Sequence, residues 1–230
     1  MINDLFSLRE KEIFHSLGEL KDYEFVVIGG YAVNAYALPR FSVDCNIVVK
    51  DKKEQKKIEN VLFKKGYKKK RLNEKAQYSE DFCIYTKNLG NNFVVNIDIL
   101  LGKVSDRNTG VSFSAEWIFK NSTVKKLKGK TIAEELKLRI ININALIVMK
   151  TISCRATDIR DVFMMLPNAE DKEWIKSEVS IRYNLQNRIS KIIEKVTSKQ
   201  FKDGLSGVYG YFDSKVFEKH KRAIFSFSDI

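Results

Sequence analysis

The spacing of apolar positions predicts a front part that mixes helices with strands and a back part made of helices. Residues Phe6 to Leu20 carry apolar side chains at helical spacing, which predicts an opening helix. Phe25–Ile28 and Ser42–Val49 are short apolar or β-branched runs, typical of buried strands. Between them, Tyr31–Ala37 predicts a short helix that ends before Pro39.

The pattern continues with one more helix and a hairpin. Asp51 is a suitable N-cap for a helix over Lys52–Lys65, which Gly66 ends. Strands are predicted at Asp81–Thr86 and Phe93–Leu101, with Gly90, Asn91 and Asn92 as the turn between them, and a further short strand over Lys125–Ile132.

From Asn142 onward the pattern is helical. The predicted helices are Ile143–Cys154, Asp158–Leu166, Asp171–Val179, Leu185–Lys199 and Phe212–Ile224, and residues 203–212, rich in Gly and Tyr, are interpreted as a loop. The fold class is therefore α+β: a mixed sheet with flanking helices in residues 1–135, followed by an α-helical domain in residues 136–230.

Composition narrows the class of protein. Hydrophobic residues make up 44% of the chain and charged residues 30%, so a packed core is expected. No apolar stretch is long enough to cross a membrane and no signal peptide is visible, so we expect a cytoplasmic protein whose three cysteines are reduced. Because there are only two histidines, His15 and His220, a zinc site and histidine-based general base catalysis are disfavoured.

Positive charge is concentrated in two segments. Lys and Arg outnumber Asp and Glu by 41 to 29, which gives a net charge of +12. The first basic cluster covers residues 64–71 and the second covers residues 120–130. Such clusters attract polyanions, so RNA is a candidate partner, although a solvated basic surface would have the same pattern.

A glycine pair lies where the first strand is predicted to end and a helix to begin. Gly29 and Gly30 would let the backbone approach an anion closely, and a helix N-terminus favours phosphate. A plain turn is the alternative interpretation of the same pair.

Carboxylates interrupt two apolar strands. Alternation along a strand predicts that Asp44 and Asn46 project from the same face and Cys45 from the other, while Asp98 is a lone acid in the later strand. Buried carboxylates need a partner, and oxygen ligands without histidine favour Mg²⁺. Salt bridges, for example to Arg40, or exposure to water at a sheet edge would also explain them.

Together these residues resemble the nucleotidyltransferase motif of the DNA polymerase β superfamily. In that motif, a Gly-Gly or Gly-Ser pair and a helix precede Asp-x-Asp on a strand, and a third Asp follows on a later strand. The chain is similar to the minimal nucleotidyltransferases and the AbiEii-like toxin group, in which an Arg and a Ser, here Arg40 and Ser42, often precede Asp-x-Asp. The resemblance implies Mg²⁺ at Asp44, Asn46 and Asp98, and phosphate binding at Gly29 and Gly30.

A second segment extends the resemblance to roughly residues 25–166. In the same group a helix ends in Lys, and an Arg followed by an Asp-x-x-Asp helix completes the nucleotide site. The resemblance implies that Lys150 binds phosphate and that Asp158 and Asp161 form the acidic pair. Surface lysine and surface salt bridges at a helix N-terminus are the alternatives.

One residue departs from the motif. Asn46 stands where the family has Asp, which removes a negative charge from the expected metal site. The resemblance implies transfer of a nucleoside monophosphate from a nucleoside triphosphate to an acceptor hydroxyl on RNA such as tRNA, on protein or on a small molecule. With Asn46, the chain could instead be a degenerate member that binds nucleic acid or a partner protein, as in a toxin–antitoxin pair.

Overall fold

The computed structural model describes residues 2–70, 81–90 and 93–228. The helices in chain order are α1 (Ile2–Glu19), α2 (Gly29–Val33), α3 (Lys52–Lys64), α4 (Ala115–Lys120), α5 (Ile143–Ser153), α6 (Ala156–Met165), α7 (Lys172–Arg182), α8 (Leu185–Thr197), α9 (Lys199–Tyr209) and α10 (Ser214–Ser228), with a 3₁₀ turn at Leu166–Asn168. The strands are β1 (Val26–Ile28), β2 (Asp44–Val49), β3 (Lys68–Lys69), β4 (Phe82–Asn88), β5 (Val94–Leu101), β6 (Lys103–Ser105), β7 (Ser112–Ser114), β8 (Ser122–Lys128) and β9 (Glu135–Ile141).

Most of the strands form one mixed sheet. Among the described residues it has seven strands in the order β3-β4-β5-β2-β1-β9-β8. The pairs β2–β5 and β1–β9 are parallel, and the other neighbouring pairs are antiparallel. The expected mixed sheet with flanking helices, followed by a helical part, is therefore confirmed.

The chain packs as two compact units. The first holds residues 1–35, 41–104 and 112–141, with the seven-stranded sheet, and the second holds residues 36–40, 105–111 and 142–230. In the second unit Phe163 is fully buried, and its ring centroid lies 5.1 Å from that of Phe201 and 5.3 Å from that of Phe217. The domain boundary expected at residue 135 stays a prediction.

Local sequence explains where several helices begin. Asp51 accepts a hydrogen bond from the Glu54 amide at the start of α3, as predicted, and Gly66, at φ 85°, follows the end of that helix. Asn142 caps α5 by accepting from the Ala145 amide. In each case a side-chain oxygen satisfies an amide that the first turn of the helix leaves without a partner.

Three sequence-based predictions are wrong in detail. The strand expected over Lys125–Ile132 is β8 at Ser122–Lys128, because the chain turns from Gly129 onward. The second helix begins at the glycine pair and ends at Val33, rather than covering Tyr31–Ala37. Residues 203–212 are mostly helical instead of a loop, because Ser198 caps α9 and Phe201 and Leu205, four positions apart, bury one side of it. Gly204 and Gly207 lie in that helix facing open space.

Other elements were not predicted. Strand β9 alternates exposed charged residues with apolar ones, so a period of two was present in the sequence. Helix α4 is short, and Ser114 caps it by accepting a hydrogen bond from the Trp117 amide.

The hairpin between β4 and β5 agrees with the prediction at Gly90, which has φ 104°. Asn91 and Asn92 lie outside the described residues.

A buried acid ties α1 to the turn between β8 and β9. Glu10 is 1% exposed, and its carboxylate accepts from the backbone amides of Lys130 and Thr131, at 2.6 and 2.8 Å, and from Thr131 Oγ1 at 2.7 Å. Gly129 lies in the same turn, where a Cβ would come 3.2 Å from Glu10 Cδ and 2.2 Å from Ile132 Cγ1. Glycine is therefore required for this close approach.

No helix in the described part of the chain combines the length and the apolar character that a membrane crossing requires.

Candidate active site

The paired strands β2 and β5 bring four polar residues onto one face of the sheet. In their parallel register Asp44 lies beside Asn96, and Asn46 lies beside Asp98. Because side chains alternate along a strand, Asp44 and Asn46 share a face, and their neighbours on β5 share it too. Asp44 and Asp98 therefore lie on one face, as predicted, but two positions apart along the strands rather than directly side by side.

The other face of these strands is apolar and packed. Cys45 is fully buried, and burial, with the nearby Asp44 and Asp98 charges, raises the pKa of its thiol well above the ordinary value. On that same face, Gln55 of α3 donates from Nε2 to Cys83 Sγ at 3.2 Å. Helix α3 thus packs against one side of the sheet, and the polar residues project from the opposite side.

Burial differs among the four polar residues. Asp98 is 7% exposed, whereas Asp44, Asn46 and Asn96 are half-buried. The buried oxygen Oδ1 of Asn96 has no hydrogen-bond partner within the described residues. A buried acceptor of this kind is costly unless a donor or a cation reaches it. Asn96 was not singled out from the sequence, although Asn-Ile-Asp in β5 mirrors Asp-Cys-Asn in β2.

The glycine turn lies beside this array. Ile28 pairs with Asn46, so the chain leaves β1 directly next to Asn46 of β2. Gly29 has φ 69°, and a Cβ there would lie 3.3 Å from Asn46 Nδ2. The left-handed backbone favours glycine at this position, and a Cβ would also push the Asn46 side chain away by a few tenths of an ångström. Gly30 follows as a buried residue of α2.

The oxygen donors suit a hard divalent cation. Asp44 and Asp98 supply carboxylates, and Asn46 and Asn96 supply amide oxygens on the same sheet face, all ligand types that Mg²⁺ accepts. No group of three or more His, Cys, Asp or Glu side chains that could hold a metal occurs within residues 2–70, 81–90 and 93–228. With only two carboxylates, this face carries less negative charge than an Asp-x-Asp motif with a third Asp would give.

Four other predicted site residues lie in the second unit and form a network of ion pairs. Arg40 donates from Nε and Nη2 to the two carboxylate oxygens of Asp161, at 2.7 and 2.6 Å. Lys150 Nζ lies 2.6 Å from Asp158 Oδ1 and 3.0 Å from Asp161 Oδ2. Asp158 is 4% exposed and Asp161 is fully buried, so neither acid is a surface residue. The alternative holds in part, because Asp158 also accepts from the Arg155 amide at the start of α6 and lies 3.5 Å from Nε of the exposed Arg155 side chain.

Electrostatics explain why the Arg40–Asp161 pair stays charged. Burial opposes ionisation of Asp161, but the positive charges of Lys150 and Arg40 outweigh it and lower the pKa of that carboxyl. Burial likewise opposes the charge on Arg40, and Asp161 reverses the effect and raises its pKa. The roles in nucleotide binding expected for Arg40, Lys150, Asp158 and Asp161 stay predictions. In this structure both cations contact the acids.

Two more residues complete the picture. Ser42 is half-buried and lies two positions before β2, and its expected contribution to the nucleotide site stays a prediction. Asp106, missed by sequence reasoning, accepts from Ser153 Oγ and from Arg155 Nη2, both at 2.9 Å. It thereby holds the 105–111 loop at the junction of α5 and α6, and no sequence motif marks it.

Comparison with known proteins gives a fold and no family. No protein-family profile matches the chain, and no curated protein is significantly similar in sequence. Among solved structures, the crystal structure of JHP933 from Helicobacter pylori matches with a TM-score of 0.51 and 14% identity, over 96% of this chain and 91% of that one. A crystal structure of a provisionally assigned nucleotidyltransferase from H. pylori matches with a TM-score of 0.50 and 15% identity, over 95% and 92%.

At 14–15% identity the likeness is one of fold. It extends over nearly the whole length of each chain, so it includes the helical part as well as the sheet. The chain therefore has the mixed sheet, flanking helices and C-terminal helices of a nucleotidyltransferase-type fold.

Proposed function

We propose that this protein transfers a nucleoside monophosphate from a nucleoside triphosphate to an acceptor hydroxyl. The observation that supports the proposal is the β2–β5 register, in which Asp44, Asn46 and Asp98 share one sheet face beside the Gly29 turn. A fold alone does not define an activity, so the proposal depends on these residues. The order Arg40, Ser42 and Asp44 supports a relation to the minimal nucleotidyltransferases and the AbiEii-like group.

The reaction requires charge neutralisation and alignment. The acceptor oxygen attacks the α-phosphorus, the bond from that phosphorus to the bridging oxygen breaks, and pyrophosphate leaves. Mg²⁺, held by oxygens of Asp44, Asp98 and Asn46, would supply positive charge for the triphosphate and for the departing pyrophosphate. Asp98 would orient the acceptor hydroxyl and accept its proton, and the Gly29–Gly30 backbone would lie against phosphate.

The first experiment measures transfer directly. The full chain is incubated with each α-³²P-labelled nucleoside triphosphate, Mg²⁺ and total RNA, protein or small-molecule acceptors, and labelled product and pyrophosphate are quantified. We expect transfer that chelation of Mg²⁺ abolishes and that Asp98→Asn lowers at least about 100-fold, the scale of losing one group that acts in the transition state. Asp203→Asn, an exposed acid of α9, is the matched control and should have no effect.

No transfer to any acceptor, together with no calorimetric heat of nucleotide binding, would refute the proposal.

Asn46 supports a second candidate, a binding protein with a weakened catalytic site. An amide in place of a carboxylate leaves the expected metal site one charge short. The variant Asn46→Asp separates the two candidates. If the site is a metal site, this variant shows a larger rise in Tm on addition of Mg²⁺ than the natural chain, and its transfer rate increases. If neither changes, while nucleic acid binds without Mg²⁺, the binding protein is the better account.

A further inference from the structure

A cleft in the first unit lies away from the proposed active site. It has a volume of about 590 Å³ and is bounded by Phe25 just before β1, Lys50 just after β2, helix α4, and strands β8 and β9. Asp44 begins β2 and Lys50 follows its end, so roughly 20 Å of strand separates the cleft from the site carboxylates. The volume is in the range of ligand-binding clefts.

The charged side chains that line the cleft are predominantly cationic. Five of them are basic and two, Glu24 and Glu116, are acidic; the basic ones are Lys21, Lys50, Lys120, Lys137 and Arg139. None of these five forms an ion pair with a carboxylate in the part of the chain that the structure describes. Cations concentrated in a concave site attract an anion more strongly than scattered ones do.

The positive charge continues from the cleft along the edge of the sheet. In the β8–β9 pairing Lys126 lies directly opposite Lys137, and Val124 lies opposite Arg139 on the same face. Like charges in directly opposed positions destabilise a sheet. Glu135, 2.7 Å from Lys126 Nζ, offsets part of this charge. Stabilisation of the sheet therefore does not explain this arrangement of charges. The charged surface also extends beyond the length of a single phosphate group.

Aromatic side chains accompany the cations. Tyr23 and Phe119 are half-buried in the wall of the cleft, and Lys50 Nζ lies 4.5 Å from the Phe119 ring centroid. Basic side chains that follow a phosphate backbone, combined with aromatic rings on which bases stack, are the features by which proteins bind single-stranded nucleic acid. An acidic protein segment would match the charge but would not need the rings.

We propose that this cleft and the adjoining β8–β9 face bind a single-stranded nucleic acid through its phosphodiester backbone, with a base against the aromatic wall. The site is separate from the Asp44 and Asp98 array, so binding requires neither Mg²⁺ nor catalysis. Of the second basic cluster, residues 120–130, it includes Lys120 in the cleft and Lys126 on the adjoining face, together with cations of β9 and the residue after β2.

The experiment measures affinity by fluorescence anisotropy with labelled U12 RNA, dT12 DNA and a 12-base-pair RNA duplex. Lys137→Glu/Arg139→Glu is expected to weaken binding of the single strands at least about tenfold at 0.1 M salt. The slope of log K against log salt should fall in magnitude by about 1.4, the value for two lost contacts to a single strand. Either single strand supports the proposal, and the tighter one identifies the sugar that the site prefers.

Controls separate a built site from general attraction. Lys53→Glu/Lys56→Glu on α3 makes the same charge change at two exposed lysines outside the cleft and should leave affinity within about twofold. If the β9 variant does not fold, Lys21→Glu/Lys120→Glu on another wall of the cleft tests the same site. This variant should lose affinity for the single strands to a similar extent. Asp44→Asn should keep full affinity, which separates this proposal from the proposed transfer.

Three results would overturn the proposal: an equal loss in the α3 control, displacement of RNA by poly-glutamate at the same charge concentration, or tighter binding of the duplex than of either single strand.

Discussion

Two pairs of aspartates in this chain have opposite surroundings. Asp158 and Asp161 on α6 are buried with Arg40 and Lys150, which neutralise them at distances of 2.6 to 3.0 Å. Asp44 and Asp98 on the sheet have amide neighbours, Asn46 and Asn96, on the same face. The first pair has two cations of the protein beside it, and the second pair shares its face with amide oxygens, a set of oxygen donors that suits a divalent cation. Burial of an acid is therefore not enough to indicate a ligand site, because the acid can be neutralised by cations of the protein itself.

The largest effect expected from this comparison is the loss of the α6 network. Asp161→Ala removes the two-pronged partner of Arg40 and one partner of Lys150, and breaking a buried pair of this kind costs about 3–5 kcal/mol. Urea unfolding should show this decrease in the free energy of unfolding. Lys126→Ala breaks the exposed pair with Glu135 and should cost less than about 1 kcal/mol. Equal losses in both variants would mean that burial does not distinguish the two pairs.

A sheet acid should respond in the opposite way. Asp44→Asn keeps the side-chain shape at a half-buried position, so the free energy of unfolding should change by less than about 0.5 kcal/mol. Nucleotide transfer should fall about 100- to 1,000-fold because a ligand of the proposed cation is weakened. Calorimetric Mg²⁺ titration and the labelled-nucleotide assay test both parts. A folded variant with unchanged transfer would remove Asp44 from the proposed site.

The glycine turn should have an intermediate effect. Gly29→Ala places a Cβ at φ 69° and 3.3 Å from Asn46 Nδ2, so we expect a loss of about 1–2 kcal/mol in the free energy of unfolding. Gly207→Ala is the matched control in α9, where a Cβ meets open space, and should stabilise by about 0.4–1 kcal/mol. Thermal unfolding distinguishes the two signs. A neutral Gly29→Ala would mean that the turn tolerates a side chain.

Acid should weaken the α6 network more gradually. The pKa of Asp161 is lowered in the folded chain, whereas the pKa of an aspartate in the unfolded chain is about 3.9. The unfolded state therefore binds the proton first, and the Asp161 contribution falls as pH drops below about 4 and is lost below the folded pKa. Each unit of lowering corresponds to about 1.4 kcal/mol. Urea midpoints from pH 6 to pH 3 should fall less steeply for Asp161→Asn, and parallel curves would contradict this.

Sequence reasoning reached the sheet site because its evidence is local. Alternation alone places Asp44 and Asn46 on one face and Cys45 on the other. Periodicity does not give strand order, so it does not predict that β5 lies next to β2. That expectation came from the resemblance to the nucleotidyltransferases. The prediction for residues 203–212 was wrong because it gave more weight to the glycines than to the four-residue spacing of Phe201 and Leu205.

The contacts that sequence could not reach join distant positions. Arg40 and Asp161 are 121 positions apart, and nothing in either segment specifies their two hydrogen bonds. The basic cleft likewise combines residues near positions 21, 50, 120 and 138, and it depends on β9, which was not predicted. Such features depend on tertiary packing, so only coordinates show which cations are already neutralised and which remain open.

The Glu10 contact has a consequence for how the chain can be shortened. Glu10 lies 120 positions before Lys130 and is the acceptor for three donors in the β8–β9 turn. Strand β8 is the last strand on that side of the sheet, so the turn gains support from a helix that the chain makes first. A truncated protein lacking α1 would leave three turn donors to water and loosen the outermost ribbon, even though no strand had been removed.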